Sequence, residues 1–137
     1  MISFSIPGDP KGKGRPRFGQ GRTYTPQSTA AYEDFIRFCY NLRYHQNSPI
    51  AADIPLSVNI NAVFEIPKSF SKAKRAAALK DEIRPTKKPD CDNVIKIILD
   101  ALNGLAYADD KQVVCVSCEK RYGEQSRVNV EINKLVE

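Results

Sequence analysis

The sequence predicts one α+β domain, with a mixed or antiparallel sheet and helices packed on it. Three observations point there. The chain is 137 residues long, enough for one core but not two. Apolar residues alternate with polar ones in separate short runs, as strands require, and elsewhere they recur at helical intervals. With 42% hydrophobic and 27% charged residues, the composition is that of an ordinary folded protein and excludes wholesale disorder.

Ile2, Phe4 and Ile6 alternate with Ser3 and Ser5, a short strand ended by Pro7, Gly8, Asp9 and Pro10. Lys11 to Arg22 then reads as a basic loop or irregular hairpin with glycines at its tip. Gly8, Gly12 and Lys13 superficially follow a phosphate-cradling P-loop, but the spacing is short and Gly14 stands where Ser or Thr must hold magnesium. Nucleotide hydrolysis is excluded on that ground. From about Gln27 to Arg43, Ala31, Phe35, Phe38 and Leu42 recur at helical intervals and predict a helix with Thr25 or Ser28 as its cap, and Tyr32 and Tyr40 read as core or its margin.

Pro49 and Pro55 bracket a connector. After it, Leu56, Val58, Ile60, Ala62 and Phe64 alternate with Ser57, Asn59, Asn61, Val63 and Glu65, the clearest strand, with one side facing solvent. Phe70, Ala73, Ala76, Ala77 and Leu79 predict a short helix within a strongly basic segment. A further helix spans about Asp92 to Asn103, closed by Gly104. Its Val94, Ile97, Ile98, Ala101 and Leu102 form one buried stripe. Ile95 and Leu99 widen that surface, so this helix is either deeply buried or packed on a second subunit. Gln112 to Lys120 and Arg127 to Leu135 predict a terminal hairpin turning at Tyr122 to Ser126.

The formal net charge is +5, which on so small a domain favours an anionic partner such as nucleic acid. No apolar run approaches the ~20 residues that span a bilayer, and the start lacks a signal peptide's regions, so no membrane role and a cytoplasmic location are expected. Of the four cysteines, Cys115 and Cys118 form a C-x-x-C. In so β-branched a segment their sulfurs would point to opposite faces of a strand, which disfavours a metal or redox pair. His45 is the one histidine, and multi-histidine metal sites are excluded.

Within this basic chain, Lys87-Lys88-Pro89-Asp90-Cys91-Asp92 is followed one helix later by Asp109-Asp110. Pro89 biases the entry toward extended backbone, which would project Asp90 and Asp92 to the same side. Magnesium takes hard oxygen ligands, few protein carboxylates and substrate phosphate, and two or three aspartates match that demand, the third from Asp109 or Asp110. Lys96, one turn past Asp92, is placed to stabilise charge at phosphorus or orient a water. The residues alone leave the bland readings open: a helix cap for Asp90, and a surface ion pair for Asp92 with Lys96. Asp100 reads as a structural partner of Lys96.

Lys88-Pro89-Asp90-Cys91-Asp92-Asn93-Val94-Ile95-Lys96, then Leu99 to Gly104, then Asp109-Asp110-Lys111-Gln112-Val113, resembles the RusA family of Holliday junction resolvases. Weaker likeness runs through Lys13-Gly14-Arg15-Pro16-Arg17 and Tyr24-Thr25-Pro26. The resemblance implies a magnesium-dependent (Mg2+) homodimer that nicks opposed strands of a four-way junction. It places the metal-binding aspartates on Asp90, Asp92 and Asp110 and the catalytic lysine on Lys96. Asp109 remains a neighbour, and Cys91 departs from a position usually apolar in the family. By charge and position, Lys11, Lys13, Arg15, Arg17, Lys72, Lys74, Arg75, Lys87 and Lys88 are the expected contacts to branched DNA. The alternatives are a noncatalytic DNA-binding module and a nuclease for other branched forms.

Overall fold

A computed structural model describes residues 1–14, 17–19, 22–24 and 27–135. The order of elements is β1 (Ile2–Pro7), β2 (Arg17–Gly19), β3 (Arg22–Tyr24), α1 (Gln27–Tyr44), β4 (Leu56–Glu65), α2 (Lys72–Leu79), α3 (Cys91–Leu102), a 3-10 turn (Asp110–Gln112), β5 (Val113–Gly123) and β6 (Arg127–Lys134). The cap expected at Thr25 lies outside the described residues. The α+β expectation holds, and the sheet is mixed: four strands in the order β1, β6, β4, β5, with β2 and β3 forming a separate antiparallel pair.

The terminal hairpin does not form. Strand β5 lies parallel to β4, while β6 pairs antiparallel with β4 on its other side and with β1 beyond. The alternation of Val128, Val130 and Ile132 reveals which face of β6 is buried but not which strand lies beside it. Burial decides the neighbour. Strand β6 buries alternate residues along most of its length, whereas Val114, Cys115, Val116 and Ser117 of β5 are exposed, as an edge permits.

One core joins the inner sheet face to α1 and α3: Ile6, Leu56, Val58, Ile60, Val128 and Ile132 meet Ile36, Tyr40, Val94, Ile97, Ile98 and Leu102. Each such side chain contributes about 1.5–3 kcal/mol relative to exposure. Helix α3 buries the stripe read from its sequence, and Ile95 and Leu99 pack half-buried against the same core. Its wide apolar surface is therefore covered within the chain. Helix α1 behaves oppositely: Phe38 and Leu42 are 57% and 66% exposed and Phe35 is partly so, while Tyr32, Ile36, Cys39 and Tyr40 are buried. The apolar stripe of Phe35, Phe38 and Leu42 lies outside, while Tyr32 and Tyr40 are in the core as expected.

The segment before β2 is laid across the start of α3. Lys13 N–H donates to the Asn93 carbonyl oxygen at 3.1 Å, and Gly14 N–H donates to Thr29 Oγ1 at 3.1 Å. A Cβ added at Gly12 would stand 2.8 Å from Asn93 Cβ and 3.0 Å from Pro89 Cβ. Neither neighbour is the end of a flexible chain. Gly12→Ala is expected to cost about 1–3 kcal/mol through overpacking, read as a lower denaturation midpoint; an unchanged midpoint would show that the crossing has slack.

Candidate functional site

Asp90 is the residue preceding the first turn of α3, with extended backbone (φ −70°, ψ 155°). It occupies the cap position, but its carboxylate makes no cap hydrogen bond and is exposed. Asp92 is already helical, in the first turn, and also exposed. The extended-chain projection expected for this pair is thus replaced by a helix start, where unpaired N–H groups and the dipole favour negative charge. Lys96 stands exposed one turn later. Among the described residues it pairs with neither Asp92 nor Asp100.

Asp100 is held by Lys13 instead. The Lys13 ammonium lies 2.9 Å from Glu33 Oε2 on α1 and 3.2 Å from Asp100 Oδ2 on α3. Burial opposes its charge, but hydrogen bonds to both carboxylates and their negative charge outweigh that and hold its pKa above the usual lysine value. Lys13 was expected to contact DNA. With its side chain only 16% exposed, it braces α1 against α3, because two carboxylates on adjoining helices need one cation between them.

Asp109 and Asp110 sit on a turn fixed by Gln112, which is buried. Gln112 Nε2 donates to the carbonyls of Ala51 and Ile54 at 2.8 and 2.9 Å, and its Oε1 accepts from Asp109 N–H at 3.0 Å. Asp109 returns the bond through the backbone N–H of Lys111 at 3.0 Å, a bond that lowers its pKa. Nearby, the Tyr107 hydroxyl donates to the Leu99 carbonyl at 2.7 Å. Burial, then the charges of Asp110 and Asp100, push the Tyr107 pKa up.

The Asp110 pKa is raised by burial, by its hydrogen bond with Asp109, and by the charges of Asp109 and Asp100. With a rise of about 1.5 Å per residue, Asp100 lies about 12 Å along α3 from Asp92. Among the described residues, no group of three or more His, Cys, Asp or Glu is placed to hold a metal ion. Asp90 and Asp92 stand together at the start of α3, while Asp109 and Asp100 are the charges that raise the Asp110 pKa.

A raised carboxyl pKa means that, above the ordinary aspartate range, ionisation costs the folded state more than the unfolded one. Asp110→Asn removes that cost. In metal-free buffer at neutral pH the variant is expected to melt above the parent, and an equal or lower melting temperature would discount the repulsion.

Lys68, Lys87 and Lys88 line a cleft of about 420 Å³ with Phe64, Glu65, Pro67 and Asp9, and Lys88 lies two residues before Asp90. Lys87 and Lys120 lie over the Phe64 ring at 5.4 and 5.6 Å, and Lys120 also donates to the Lys87 carbonyl. Lys120 was missed from sequence, and Lys68, read within the basic segment, was left off the expected contacts. Position on the chain does not reveal that Lys68, just past the end of β4, lines one cleft with Lys87, or that Lys120 on β5 bonds the Lys87 carbonyl. Lys72, Lys74 and Arg75 are exposed on α2, and Lys11 is exposed with its ammonium 5.7 Å from the Tyr32 ring centre. Arg15 and the side chain of Arg17 lie outside the described residues.

Cys91, between the two aspartates, donates its thiol to the Cys118 carbonyl of β5 at 3.6 Å. Burial and contact with the Cys91 thiol push the Cys118 pKa up to about 12. Cys115 is exposed while Cys118 is half-buried, so the C-x-x-C sulfurs divide between faces as expected.

Residues 7–133 match the family model described as endodeoxyribonuclease RusA. The chain is also 35% identical over 140 residues to a protein of Bacillus subtilis (strain 168) described as uncharacterized protein YqaN, covering 98% of this chain and 96% of that one.

Proposed function

The chain belongs to the RusA family and is an endodeoxyribonuclease, and from that premise we propose that it resolves four-way DNA junctions, in recombination and repair, as a magnesium-dependent homodimer. The observation that carries the reading is the Asp90 carboxylate. It is exposed, free of the capping bond its position invites, and follows by two residues Lys88, which lines a cleft with Lys68 and Lys87.

Asp90 and Asp92 suit a hard divalent cation, which uses one or two carboxylates, several waters and a phosphate. Asp110 is the third proposed ligand on the family resemblance alone, since among the described residues no three such groups are placed together to hold the ion. When bound, the ion supplies Lewis-acid polarisation of the phosphoryl oxygen and a water of lowered pKa. The chain's own groups do the rest. Lys68, Lys87 and Lys88 hold backbone phosphates and set the register of the strand. Lys96 offers an ammonium where charge builds on the phosphoryl oxygens during attack.

Two symmetric nicks require two sites related by a two-fold axis, and Phe35, Phe38 and Leu42 form an uncovered apolar stripe suited to a second copy. No described helix is long and apolar enough to cross a membrane, which accords with a nuclease working on DNA.

Purified protein incubated with a synthetic four-way junction and magnesium is expected to nick two opposed strands symmetrically. Binding without nicking would favour a noncatalytic module. Preferential cutting of flaps in competition would move the substrate to other branched DNA.

A further inference from the structure

The sulfur atoms nearest the proposed chemistry belong to residues far apart in sequence. Cys91 is the first residue of α3, flanked by Asp90 and Asp92. Cys118 lies on β5, and the Cys91 thiol reaches its carbonyl oxygen at 3.6 Å. Both residues are half-buried, so small oxidants have access, whereas Cys39 is buried and Cys115 is exposed. Only packing of the helix start onto the edge strand brings this pair together.

We propose that Cys91 and Cys118 form a reversible thiol pair whose oxidation by a hydroperoxide turns cleavage down. The first sulfur attacks one peroxide oxygen; the oxygen–oxygen bond breaks, a sulfenic acid forms, and the departing hydroxide takes the thiol proton as water. The second sulfur then attacks the sulfenic sulfur, the sulfur–oxygen bond breaks, and a second water leaves. Two thiols and hydrogen peroxide become one disulfide and two waters, a two-electron oxidation that an added dithiol reverses.

The disulfide brings the sulfurs to about 2.05 Å, well inside hydrogen-bonding contact. Cys91 is bonded to Asp90 on one side and Asp92 on the other, so the first turn of α3 moves with it toward β5. Carboxylates that must meet a scissile phosphate are then displaced. The effect on cleavage rests on the role proposed above for Asp90 and Asp92; formation of the bond does not.

The test treats the full chain with hydrogen peroxide, maps disulfides by mass spectrometry after non-reducing digestion, and follows junction nicking before treatment, after it and after dithiothreitol. A linked Cys91 and Cys118 peptide is expected, with nicking at least about tenfold slower, in line with the loss from ångström-scale misplacement, and recovered on reduction. Cys118→Ser and Cys91→Ala are each expected to nick before treatment and to resist peroxide, while Cys115→Ser responds as the parent does. Absence of the linked peptide overturns the pair, and a linked peptide with unchanged nicking overturns the switch. Reduced protein that nicks nothing overturns the proposed function instead, and the peptide map still decides the pair.

Discussion

Asp90→Asn is expected to slow junction cleavage at least a hundredfold, about what loss of one preorganised electrostatic group costs, while junction binding stays equal or tightens. Asparagine keeps the size and one oxygen but removes the charge that would hold a divalent ion. It also removes one negative charge two residues from Lys88, so phosphate is repelled less. A companion variant separates this role from helix capping. A working cap residue changed to Ala costs about 0.5–2 kcal/mol, but the Asp90 carboxylate makes no cap bond, so Asp90→Ala is expected to melt almost where the parent does while failing to cut. A stable, fully active Asp90→Asn protein would remove the metal role; a destabilised Asp90→Ala protein would restore the capping one.

Much of the architecture was legible because burial leaves a period in the sequence. Strands β1 and β4 and the buried stripe of α3 follow directly from alternation and helical spacing. Helix α1 did not, because it is apolar on two sides: Phe35, Phe38 and Leu42 make as regular a stripe as Tyr32, Ile36 and Cys39. Periodicity cannot choose between two stripes; the sheet chooses, and it takes the one bearing Ile36 and Tyr40. The terminal hairpin failed for a related reason, since a strand's pattern names its face and not its neighbour. At the site, the acidic motif and the lysines before it were visible as local sequence. The Lys13 bridge between Glu33 and Asp100 was not, because it joins three segments that meet only when α1 packs on α3. The same holds for Cys91 with Cys118.

Gln112→Leu is expected to be the most damaging change outside the acidic residues themselves. The amide satisfies three backbone groups at once: the carbonyls of Ala51 and Ile54, and the N–H of Asp109. Leucine fills similar volume and bonds to none of them. An unsatisfied buried group costs about 1–3 kcal/mol, and these groups are only partly buried, so a loss of about 2–4 kcal/mol is expected, against a usual total of about 5–15 kcal/mol. The consequence for function goes beyond stability, because the same bond sets the Asp109 and Asp110 turn. Well below its melting temperature, the folded variant is expected to cleave slowly even at saturating junction, with binding little changed. Gln112→Glu sharpens the test: it keeps an acceptor for Asp109 N–H, gives the two carbonyls no amide donor, and adds a carboxylate beside an aspartate whose ionisation is already opposed by its neighbours. It should therefore fall at least as far as Gln112→Leu in stability. If both variants melt like the parent and cut at its rate, the capping turn does not position Asp110, and the third carboxylate must be sought elsewhere.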